Sequence, residues 1–126
     1  MELKELRIGN LYINDQNDVA KVLEIEISGV VGDTTEYGKF TNKNLIRPIE
    51  LSGKWLSRIG FKKDENGDYI NKQKQYLDLS EVHNGFNLWI DGELIQDVKV
   101  KYVHQLQNLY FALTGEELKP QDVAIP

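Results

Sequence analysis

The chain has 126 residues, 40% of them hydrophobic and 28% charged, and no cysteine. This length suits one folded domain around one core, and the missing thiols exclude a disulfide framework and thiolate metal sites. The net charge is −5 and uneven, with 10 Lys/Arg against 9 Asp/Glu in residues 1–63 but 5 against 11 in residues 64–126, which argues against general binding of a phosphate backbone.

Leu6 to Ile13 reads as a strand or strand pair broken at Gly9-Asn10. The polar run 14–18 is a turn, because short polar side chains bond their own backbone there. Val19 to Ile27 is the clearest early strand: Leu23, Ile25 and Ile27 alternate with Glu24 and Glu26, which predicts one buried and one wet face. Residues 29–44 hold Gly32, Gly38 and many polar positions, with one short strand expected near Glu36 to Phe40. Leu45 to Leu51 is strand-like, and Pro48 places it at an edge or a strand end. The pattern leaves two forms for this half, an SH3-like partial barrel or an open sheet.

Ser52 is placed to cap a short central helix carrying Trp55, Leu56 and Ile59 and stopped by Gly60. Hairpins follow. Asn66-Gly67, Asn84-Gly85 and Asp91-Gly92 are signals for tight two-residue turns, whose central positions need positive φ. Leu77 and Leu79, then Phe86, Leu88 and Ile90, then Val98, Val100 and Tyr102 alternate with polar residues, so the second half is a meander. It runs into an amphipathic C-terminal helix in which Val103, Leu106, Tyr110 and Leu113 share a face widened by Leu109 and Phe111; Gly115 ends it. The fold class expected is α+β: small antiparallel sheets, a short central helix and a C-terminal packing helix, in one domain with subdomains 1–60 and 61–126 as the natural division.

Few residues point to chemistry. Asp64-Glu65-Asn66-Gly67-Asp68 superficially resembles a calcium loop, but glycine is displaced and Gln75 stands at the closing position, so a hairpin turn is expected. His83 and His104 are the only histidines; His83 is expected on the surface beside a turn, and His104 as a neutral histidine hydrogen-bonded at the domain surface. The serines lie in no nucleophile elbow, and no phosphate-binding glycine loop is present. Neither a metal site nor a cofactor is implied, and enzymatic activity is the least supported class. Trp89 stands out: it falls on the strand face opposite Phe86, Leu88 and Ile90, beside Asn87, with Tyr76 expected to share that face. An outward tryptophan anchors protein contacts. A basic patch over residues 39–63, with Lys43, Arg47, Lys54 and Arg58, is the minor alternative for nucleic-acid binding. No apolar run approaches the roughly 20 residues of a membrane span, and the amino terminus has no signal-peptide core, so a cytoplasmic protein with no membrane partner is expected.

The run KYVHQLQNLYFALTGEEL (Lys101–Leu118), with LRIGN (Leu6–Asn10) and IRPIELSGKWLSRIGF (Ile46–Phe61), resembles a family of small uncharacterised proteins encoded by gut bacteria and their phages or other mobile elements. VHQLQNLYFALTGEEL is the distinctive segment. The resemblance implies a genomic setting and no catalytic residue; Gly53 and Lys54 depart from the acidic residues expected in relatives. Taken together, the expectation is a non-enzymatic accessory protein acting through a protein partner or self-association. A small-ligand or nucleotide-sequestering protein, and then a nucleic-acid binder, are the alternatives.

Overall fold

The computed structural model describes residues 6–14, 16–26, 29–34, 38–42 and 47–118, with side chains described outside 23–42. The chain divides into two compact units: the first runs to Ile49 and resumes at Tyr102–Glu117, and the second is Glu50–Lys101 with Leu118. The expected division at Gly60 is thus replaced by an insertion, with the C-terminal helix belonging to the first unit. Each unit is α+β, with an antiparallel sheet and a helix.

In the first unit, β1 (Leu11–Ile13), β2 (Val19–Glu26), β3 (Gly29–Thr34) and β4 (Gly38–Asn42) form a meander in that order. Gly9 takes φ +95, which lets the Arg7 carbonyl accept from Asn10 N–H at 2.9 Å and turns the chain into β1. The Asn14 side chain accepts from Gln16 and Asp18 N–H, making the expected turn. Ala20 and Val22 are buried, and the next apolar positions in sequence, Leu23 and Ile25, are out of phase with them. The β2–β3 register shifts between Val22 and Glu24, and such a bulge is how a strand absorbs a change of phase. The faces of Leu23, Ile25, Glu24 and Glu26 lie outside the described side chains. Two strands therefore occupy the stretch where one was expected. Arg47 joins Ile13 in an isolated bridge, and Pro48 lies in no strand. No pairing closes β4 onto β1 among the described residues.

α2 (Val103–Thr114) packs on β1, and Gly115 ends it in the left-handed conformation, φ 74. Its buried face differs from the expected one. Val103, His104, Leu106, Gln107 and Tyr110 are buried, whereas Phe111 and Leu113 are 41% and 44% exposed. The cause is a polar seam that hydropathy does not detect. Gln107, 2% exposed, accepts Leu11 N–H at 2.9 Å through Oε1 and donates from Nε2 to the Gly9 carbonyl at 3.2 Å. Its carboxamide thus substitutes for a neighbouring strand's peptide group. Asn10 donates to Asn108 at 2.9 Å. Arg7 donates to Asn108 at 3.0 Å, pairs with Glu117 and lies 4.4 Å over the Phe111 ring. LRIGN and VHQLQNLYFALTGEEL are therefore the two halves of one packed interface.

In the second unit, α1 (Gly53–Arg58) begins where Ser52 Oγ accepts Trp55 N–H, and buries Leu56. β5 (Phe61–Lys63), β6 (Tyr69–Asn71), β7 (Leu77–Val82), β8 (Gly85–Ile90) and β9 (Glu93–Val100) follow as a five-stranded meander. Phe61, Leu77, Leu79, Phe86, Leu88 and Val100 are buried. The unit's ends are tied by Leu51 N–H donating to the Lys101 carbonyl at 2.8 Å.

The three predicted turns resolve differently. Asp91 and Gly92 both have positive φ, 52 and 78, as a two-residue turn requires. At Asn66-Gly67 the loop is longer: Asp64 Oδ1 captures Asn66 and Asp68 N–H at 2.9 Å, so only Gly67 turns left-handed. At Asn84-Gly85 the turn is one residue earlier, because Gly85 already pairs with Val82. Gly85 (φ +136) is needed there for another reason, since a Cβ would lie 2.7 Å from the Val100 carbonyl oxygen.

Candidate binding surface

Strand register decides which side chains meet. Lys62 pairs with Ile70, Ile70 with Asp78, Asp78 with Trp89 and Trp89 with Leu94. A second row, Ser80, Asn87 and Lys99, lies beside it. Successive pairs in such a row stand on one face of the sheet. Ile70, Asp78, Ser80, Asn87, Trp89 and Leu94 are half-buried and Lys62 and Lys99 exposed, while the alternate positions Leu77, Leu79, Phe86 and Leu88 are buried. This sheet therefore has one core face and one open face.

Trp89 sits in the middle of the open face, as the alternation of β8 predicted, and Asn87 shares it. Its indole Nε1 donates to Ser80 Oγ at 2.9 Å, which holds the ring in one orientation while leaving part of it accessible. Tyr76 lies just before β7 at the parity of Asp78 and is 41% exposed. Its carbonyl accepts Asp91 N–H at 2.9 Å, fixing the backbone at this corner. Opposite Asn87 and Trp89, β9 shifts register, with Asp97 at φ 63. Bulges of this kind redirect neighbouring side chains and interrupt an edge.

Asp78 carries the electrostatic feature of this face. Its carboxyl is pushed above the ordinary value of 3.8, first by burial and then by the negative charges of Asp68 and Asp64. The five-residue stretch from Asp64 to Asp68 is a hairpin loop, and no group of three or more carboxylates and histidines suited to a metal occurs among the described residues.

The basic candidates are dispersed. Arg47 belongs to the first unit, where it is exposed and donates to the Asn17 side chain. Lys54 and Arg58 share α1, Arg58 lying 5.2 Å over the Trp55 ring. Lys43 lies outside the described residues. His83 is exposed at its turn. His104 is not at the surface: it is 1% exposed and stacked on Tyr102 with ring centroids 5.9 Å apart.

Sequence reasoning missed Ile70, Leu94 and the Ser80 hydrogen bond, and placed Lys62 in the basic 39–63 segment rather than on this face. Three-residue strands such as β5 and β6 are too short to show alternation, and the shift in β9 breaks its phase. Also unforeseen was a groove of about 820 Å³ on the β5–β6 hairpin, lined by Lys62, Lys63, Asp64, Ile70, Asn71 and Lys72 among others.

No helix among the described residues is long and apolar enough to cross a membrane. Comparison of the chain with protein-family models, curated proteins and solved structures finds no match.

Proposed function

We propose that this protein is a non-enzymatic binding protein whose working surface is the open face of the five-stranded sheet, with Trp89 as anchor. One observation carries the reading: a tryptophan oriented by its own hydrogen bond stands half-exposed in the centre of a face whose other side forms the core. Rigid aromatic anchors of this type supply much of the affinity in protein interfaces at low entropic cost. Ile70 and Leu94 provide apolar flanks, and Asn87, Asp78 and Lys99 provide polar groups around them. The occupant is a protein partner or a second copy of the chain. Resemblance of the Leu6–Asn10 and Lys101–Leu118 segments to small proteins of phages and mobile elements supports an accessory role in the host cytoplasm.

The test replaces Asn87 with a photo-crosslinking phenylalanine analogue and maps adducts in host cells and in purified protein. The same experiment is repeated with Trp89→Ala, and the oligomeric state of both chains is measured by native mass spectrometry. Trp89→Ala is expected to abolish the adducts or shift the oligomer. If the adduct pattern and the oligomeric state both stay unchanged, this face is not the working surface.

A further inference from the structure

The open face of the five-stranded sheet carries one unbalanced charge. Asp78 is half-buried on β7, and its neighbours on this face are uncharged: Ile70 and Trp89 across the adjacent strands, Tyr76 and Ser80 two residues either way along the chain. Lys62 and Lys99, the cations of the same two rows, are each separated from it by an intervening strand. Asp78 forms no ion pair with another described residue. Burial, and then the like charges of Asp68 and Asp64, hold its carboxyl above the ordinary value. A cation brought to this carboxylate from outside would offset both effects.

Trp89 supplies the other half of the site. It is the cross-strand partner of Asp78, and such partners stand with Cβ atoms about 4.5–5.5 Å apart. The indole bond to Ser80 pins the ring to β7, the strand that carries Asp78. A carboxylate beside the accessible part of an indole suits one side chain above others. A guanidinium stacks on the aromatic plane and donates to the carboxylate in a planar fork, whereas an ammonium is a compact, strongly hydrated point charge. A small-molecule site encloses most of its ligand, and this face is open, so it suits a side chain projecting from a macromolecule. We infer that Trp89 and Asp78 together receive an arginine of the protein partner, an inference that rests on the surface reading above. Ile70 and Leu94 take the apolar residues beside it. The arginine comes from a different protein rather than a second copy. This chain has three arginines, and each is engaged: Arg7 with Asn108 and Glu117, Arg47 with Asn17, and Arg58 over the Trp55 ring. Charge complementarity of this type raises the rate of encounter and selects the partner.

The probe is a capped Leu-Arg-Leu peptide titrated into the isotopically labelled full chain at low salt and followed by NMR. The same peptide with citrulline in place of arginine keeps the shape and removes the charge. Shifts are expected at the Trp89 indole and at the Asp78 and Ser80 amides, with the citrulline peptide binding roughly tenfold more weakly. Asp78→Asn should keep the wild-type spectrum elsewhere, weaken the arginine peptide roughly tenfold and leave the citrulline peptide unchanged. No shift at millimolar peptide overturns the inference, as does an equal response to both peptides or wild-type affinity in Asp78→Asn. Methylguanidinium shifting these signals as strongly as the peptide overturns it in favour of a small cation. A wild-type homodimer that Asp78→Asn dissociates overturns it in favour of a lysine of a second copy. The surface reading fails separately. Crosslinks from position 87 that Trp89→Ala removes and Asp78→Asn leaves unchanged keep the surface and overturn the arginine contact. Selective binding of the arginine peptide when Trp89→Ala changes no partner contact supports the guanidinium site and removes only the surface reading.

Discussion

Gln107 gives the sharpest test of how the C-terminal helix is held. Its carboxamide is buried and satisfies two backbone groups, Leu11 N–H at 2.9 Å and the Gly9 carbonyl at 3.2 Å. Gln107→Leu keeps similar volume and adds apolar surface, so an account by hydrophobic packing alone predicts little loss. An account by hydrogen bonding predicts the reverse, since a buried polar group left without its partner costs about 1–3 kcal/mol. Two such groups give an expected loss of about 2–6 kcal/mol, a large share of the roughly 5–15 kcal/mol that holds a domain folded. Gln107→Glu separates the two bonds. Its ionised carboxylate still accepts from Leu11 but cannot donate to Gly9, and burial disfavours its charge. Burial raises the folded pKa of such a group, so its stability is present at low pH and lost as pH rises through that value. The assay is urea unfolding by far-UV circular dichroism with amide exchange at Leu11. Trp55 and Trp89 both lie in the second unit, so tryptophan fluorescence reports separately on that unit. If Gln107→Leu unfolds within about 0.5 kcal/mol of wild type and Leu11 stays protected, the hydrogen-bonding argument is wrong.

Two further perturbations probe the second unit. An added Cβ at Gly53 would stand 2.5 Å from Tyr69 Oη, and the Tyr69 ring is held edge-on to Phe86 at 6.1 Å; Gly53→Ala is therefore expected to cost about 1–3 kcal/mol. In a Tyr69→Phe background Oη is gone but Cζ would still lie 3.3 Å from the added Cβ, so the cost should fall below about 1 kcal/mol, and thermal melts of the double-mutant cycle check the coupling. Asp78 has its folded pKa raised above 3.8 by burial and by Asp68 and Asp64, so its ionised form opposes folding at neutral pH. Asp78→Asn should raise the melting temperature at pH 7, with the advantage closing as pH falls toward the unfolded value; an equal advantage at every pH would remove the electrostatic cause.

What the sequence determined by itself is local. Ser52 capping α1, Gly115 closing α2, the Asp91-Gly92 turn and the alternation that turns Trp89 away from Phe86 and Leu88 all depend on neighbouring residues. Cap chemistry, positive φ and side-chain period are intrinsic to a short segment, which is why they were legible. The candidate surface was legible to the same extent: Trp89 and Asn87 are neighbours on one strand, whereas Ile70 and Lys62 join them only through pairings across β5, β6 and β7.

Tertiary structure decided the rest. Hydropathy nominated Leu113 and Phe111 for the buried face of α2, yet Gln107 and His104 occupy it. The strand edge leaves a peptide N–H and a carbonyl that need partners, and an amide supplies both where a leucine cannot. The turn at His83-Asn84 is set by cross-strand pairing, and Gly85 is demanded by the Val100 carbonyl approaching from β9. The return of α2 to the first unit joins Gly9 and Leu11 to Gln107 across nearly the whole chain. Each of these outcomes depends on groups far apart in sequence, and a local pattern holds no record of the partner it will meet.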